Sequence, residues 1–119
     1  MNIKTIEKNN VKIAVVQSDQ LLITDAQSAL DLIATVSYET GCYAVAVSKE
    51  NITEDFFQLS TRIAGEILQK FVNYRMKIAI IGDFSVYSSK ALKDFIYECN
   101  QGHHIFFAST EEEAIAMLA

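Results

Sequence analysis

Short apolar runs rich in β-branched residues alternate with stretches of helical period along most of the chain, and this alternation constrains the fold more than any other feature. Residues 43–47 (Tyr-Ala-Val-Ala-Val) and 77–81 (Lys-Ile-Ala-Ile-Ile) suit strands buried on both faces. Residues 105–107 (Ile-Phe-Phe) are a third such run. Two β-type runs, residues 3–6 and 11–16, open the chain. Lys8-Asn9-Asn10 lies between them and reads as a hairpin turn, because asparagine tolerates positive φ.

The helical stretches carry their own boundaries. Thr24 and Gln27 have capping-box spacing ahead of Ala26, Ala29, Leu30, Ile33 and Ala34, and Gly41 ends that helix. Thr53 is placed to cap the longest helix, residues 54–74, with Glu54 and Asp55 in its first turn. Phe56, Leu59, Ile63, Ala64, Ile67, Leu68 and Phe71 form its apolar stripe. Arg62 and Glu66 are i,i+4 neighbours on its polar side. Ser88 or Ser89 caps a third helix, with Leu92, Phe95, Ile96 and Cys99 inward and Gly102 as a left-handed stop. Thr110 with Glu113 is a second capping box. The order β-β-α-β-α-β-α-β-α predicts a single α/β domain over 1–119, with a mostly parallel sheet and right-handed crossovers.

Composition excludes several function classes. The 119 residues include 15 Asp+Glu against 10 Lys+Arg, net −5, which argues against a nucleic-acid-binding face. The N-terminus has no apolar core of a signal peptide, and no run approaches the ~20 apolar residues that cross a bilayer. Two cysteines are too few for a disulfide scaffold. The expectation is a cytoplasmic protein with no membrane partner. No glycine-rich phosphate loop is present, and no cofactor is implied.

Two resemblances follow from these patterns. The order of elements resembles the anti-sigma-factor-antagonist (STAS, SpoIIAA-like) domain, whose parts would fall at residues 44–48, 51–57, 77–82 and 105–114. Phosphorylated antagonists of that family resemble one another in an Asp-Ser-Ser-Gly loop at the start of the helix after the third strand. This chain has Thr53-Glu54-Asp55-Phe56-Phe57 there, so no serine occupies the phosphorylatable place. At the level of motifs, Tyr38-Glu-Thr-Gly-Cys42, residues 64–75, Gly82-Asp-Phe-Ser85 and Phe95-Ile-Tyr-Glu98 resemble a bacterial domain-of-unknown-function family, number 4180. That resemblance implies no activity.

Candidate site residues fall into two sets. Glu39, Arg75, Asp83, Ser85 and Lys90 would form a ligand or anion site if they converge in one cleft. Ligands in open α/β sheets bind outside the carboxyl ends of the strands. The loop holding Asp83, Ser85, Tyr87, Ser88, Ser89 and Lys90 lies at that edge, as do Ser48-Lys49-Glu50 and Ser109-Thr110. Turn and capping roles account for the same residue types. Thr53, Phe56 and Phe57 are the second set. An aromatic left exposed there would mark a partner interface, although both rings could lie under the preceding loop. Cys42 is either a nucleophile beside Glu39 or a small core residue. His103 and His104 point to opposite faces and suit no shared metal. The expectation is a non-enzymatic regulatory or protein-interaction module, partnered by another protein or a second copy. A small-ligand site or small enzyme is the alternative.

Overall fold

The computed structural model describes residues 1–119. Strands β1 (Asn2–Lys8) and β2 (Val11–Gln17) form the opening hairpin. Asn9 and Asn10 have φ of 53° and 66°, the left-handed pair that a two-residue type I′ turn requires. Helix α1 (Ala26–Thr40) leads to β3 (Ala44–Ser48), and α2 (Ile63–Asn73) leads to β4 (Lys77–Ile81). Helix α3 (Lys90–Gln101), β5 (Ile105–Ala108) and α4 (Glu111–Leu118) complete the chain. The five-stranded sheet has the order β1-β2-β3-β4-β5. Only β1 runs antiparallel to its neighbour.

Two cores sit on the two faces of the sheet. Val45, Val47, Ile78, Ile80 and Phe107 face α1, α2 and α3, where they meet Ile33, Val36, Ile67, Phe71 and Leu92. The opposite face carries Ala44, Ala46, Ala79 and Ala108 and is covered by α4 through Ala114 and Leu118. Ile13, Val15 and Phe106 share that face, and α4 lies over the alanines of the central strands between them.

The segment after β3 differs from expectation. Residues 54–74 are not one helix. Glu54–Phe57 and Leu59–Thr61 are 3-10 turns, and α2 begins only after Arg62, which sits at φ 66°. Adjacent residues of an α-helix point about 100° apart, so a straight helix would spread Phe56 and Phe57 across the width of its apolar face. Here both are buried, at 0% and 3% exposure. Full burial of a phenylalanine ring stabilises by roughly 1.5–3 kcal/mol, which offsets the ~1–2 kcal/mol that a left-handed non-glycine residue costs. Thr61 holds the bend by donating its hydroxyl to the Asp55 and Gln58 carbonyls, both at 2.8 Å.

Several caps also differ. The first capping box is Asp25 with Ser28, one residue beyond Thr24 and Gln27. Thr53 makes no side-chain capping bond. Arg62 precedes α2 and forms no ion pair with Glu66; the ion pairs are Lys4–Glu111, Lys49–Glu54 and Lys90–Asp94. Gly102 has φ −89° and is not a left-handed stop, whereas Gly41 is one at φ 71°. No helix is long and apolar enough to cross a membrane.

Candidate functional site

The parallel strands β3 and β4 end side by side, and the chain turns away at Ser48 and Gly82. These turns bring Lys49 against Gly82 so closely that a Cβ on Gly82 would lie 2.7 Å from Lys49 Cβ. The ammonium of Lys49 then lies 3.2 Å from Glu54 Oε1. It also sits over the rings of Tyr87 and Phe57, at 5.1 and 5.7 Å from their centroids. Tyr87 stacks on Phe57, with centroids 5.1 Å apart and planes 17° from parallel. Its hydroxyl donates to both Glu54 oxygens, at 3.0 and 2.9 Å. Lys49, Glu54, Phe57 and Tyr87 therefore clip the loop after β4 onto the segment after β3.

Protons in this cluster are held firmly. The neighbouring Tyr87 hydroxyl and Glu54 raise the Lys49 pKa, with burial opposing. Burial pushes the Tyr87 hydroxyl upward, and Glu54 adds to the shift. At neutral pH the lysine is an ammonium and the tyrosine a protonated donor. Asp83 is kept below the ordinary carboxylate value, mainly by the Ser85 hydroxyl and backbone N–H, with a smaller contribution from Lys49. Glu54 already pairs with the Lys49 ammonium and Asp83 adds a second carboxylate in the neighbourhood, a balance that disfavours an anion.

Beside the clip lies an open groove of about 510 Å³. It runs between the 3-10 turns after β3 and the start of α3. Phe57, Leu59, Val86, Tyr87, Ser88 and Ala91 are among its lining. Val86 is 65% exposed. Ser89 caps α3 by accepting from the Leu92 N–H at 3.2 Å.

The residues expected to form one cleft are divided between two ends of the sheet. Asp83, Ser85 and Lys90 follow β4, at the carboxyl edge. Arg75 precedes β4 and Glu39 precedes β3, at the amino edge. The length of a strand separates the two groups. Arg75 instead shapes the backbone. At φ 56° it ends α2, with its N–H donating to Val72 O and Met76 N–H to Phe71 O. Lys90 pairs with Asp94 at 2.7 Å, one turn along α3. Phe56 and Phe57 offer no exposed ring. Thr53 is half-buried, and its N–H donates to the Ile23 carbonyl. Cys42 is in the core, and the half-buried His104 has Nε2 3.1 Å from the Phe71 carbonyl. Burial raises the Cys99 thiol, so it is no activated nucleophile. No three His, Cys, Asp or Glu side chains are grouped to hold a metal ion.

Glu54 was legible only as a helix-start acid, and nothing in its spacing pointed to Tyr87. Lys49 and Tyr87 were visible as polar residues after strands, the position that brought them together.

No curated protein and no solved structure matches the chain. The family model described as "Domain of unknown function (DUF4180)" matches residues 8–118, almost the whole chain, and the protein belongs to that family.

Proposed function

We propose that the protein is a non-enzymatic regulatory or interaction module of the cytoplasm, STAS-like in fold, which receives a segment of a partner protein at the carboxyl edge of its sheet. The groove between residues 57–60 and 86–91 carries this reading. It combines apolar lining, an exposed Val86 and hydroxyls at its rim, the mixture expected of a peptide-sized contact. The adjoining Lys49–Glu54–Tyr87 cluster supports binding over catalysis. Its donors and acceptors pair with one another, and the raised pKa values of Lys49 and Tyr87 leave neither poised to exchange a proton near neutral pH. The hairpin followed by βα alternation supports the STAS-like assignment.

The test is purification from the native host at endogenous level, for the natural chain and for Val86→Glu. The natural chain should retain a stoichiometric protein partner, and Val86→Glu should lose it while keeping its melting temperature. A natural chain that emerges alone, or a partner equally retained by the variant, contradicts the proposal.

A further inference from the structure

The two margins of the sheet are unlike. At β5, the Asn100 side chain occupies the outer edge as a further strand would. Its Nδ2 donates to the Phe107 carbonyl at 3.1 Å, and its Oδ1 accepts from the Phe107 N–H at 2.8 Å. At β1 nothing comparable is present. Lys8 and Val11 flank a two-residue turn and so form a hydrogen-bonded pair. Counting back by twos, Ile6, Lys4 and Asn2 also face β2. Ile3, Thr5 and Glu7 aim their N–H and C=O groups outward, and no hydrogen bond from elsewhere in the chain reaches them.

We propose that β1 pairs with β1 of a second copy of this chain, antiparallel about a two-fold axis through Thr5, so that two sheets become one. Three features of the sheet select this occupant. First, the outward groups form a self-complementary set. With Thr5 on the axis, Ile3 of each copy pairs with Glu7 of the other and Thr5 pairs with Thr5, giving about six backbone hydrogen bonds. Second, charge selects the register. Centring on Thr5 sets Lys4 opposite Ile6 and Asn2 opposite Lys8. Centring on Lys4 opposes Lys4 to itself, and centring on Ile6 opposes Lys4 to Lys8, like-charge pairs that destabilise. Third, the blocked β5 edge prevents head-to-tail growth of β1 on β5, so the pairing closes at two copies.

Lysines on an edge strand commonly guard against such pairing. Here Lys4 is already engaged with Glu111 at 3.0 Å on the α4 face. Ile3 and Ile6 are only half-buried and lose further exposure in the pair. This surface is remote from the carboxyl-edge groove, so either proposal can fail without the other.

The experiment is sedimentation velocity on the full chain from low micromolar to millimolar concentration, with backbone amide exchange read by NMR. Thr5 is exposed and its N–H points outward, so Thr5→Lys and Thr5→Pro both spare the β1–β2 ladder. Thr5→Lys places two ammonium groups face to face on the axis; Thr5→Pro removes the central pair of donors. The natural chain should dimerise, with slowed exchange at Ile3, Thr5 and Glu7. Both variants should remain monomeric over the same range, and Thr5→Lys decides the matter if Thr5→Pro fails to fold. A natural chain monomeric throughout overturns the proposal. So does a dimer that persists in Thr5→Lys with those three amides exchanging fast.

Discussion

Gly82 carries no side chain, and the clip at the carboxyl edge depends on that. The Lys49 stem packs where a Cβ would be, at 2.7 Å from Lys49 Cβ and 2.9 Å from its Cδ. Its Cβ is tied to the backbone at the end of β3 and cannot swing away. Gly82→Ala should therefore destabilise the fold by about 1–3 kcal/mol, the usual cost of forcing atoms into a packed site. Urea denaturation would measure it, and an unchanged midpoint would show that Lys49 moves freely. Asp25 makes a second residue-scale case. Its carboxylate accepts from the Ser28 N–H at 2.8 Å, and that bond, with the Ser28 hydroxyl, lowers its pKa below 3.8. A depressed folded pKa gives stability that is present above 3.8 and is lost as pH falls through the lower folded value. Asp83 acts with the same sign. Asp25→Asn keeps a capping side chain but cannot ionise. Melting curves should show a smaller loss below about pH 4 for this variant than for the natural chain.

At the scale of elements, the broken segment before α2 shows packing overriding local preference. Arg62 occupies a left-handed conformation that suits glycine. With the bend at 62, Arg62→Gly should stabilise the protein by about 0.5–1 kcal/mol. In a continuous helix the same change would destabilise by ~1 kcal/mol. The sign of the shift in the denaturation midpoint separates the two. This segment also shows what the sequence conceals. The stripe from Phe56 to Phe71 has good helical period, and residues 63–73 are indeed helical. Its first third yields to tertiary burial of two adjacent rings, which no local pattern encodes. Residues 43–47, 77–81 and 105–107 were legible because short β-branched and aromatic runs between helical stretches leave few alternatives. Arg75 preceding β4 and Asp83 following it were also readable as opposite edges, and the expected joint cleft overlooked that order. The Lys49–Glu54–Tyr87 contacts join residues up to 38 positions apart, and only the fold reveals them.

For the whole molecule, the two faces and two edges have separate roles. Three helices cover one face and α4 the other. The amino edge carries Glu39 and Arg75, and the carboxyl edge carries the clip and the groove. In the proposed function, this groove docks a protein. A photo-crosslinking amino acid placed at Val86, in the groove, or at Tyr38, which is 91% exposed at the far end of α1, reads this docking in the cell. Docking predicts one discrete crosslinked protein from position 86 in the native host and none from position 38. No product at 86, or the same products from both positions, would contradict it.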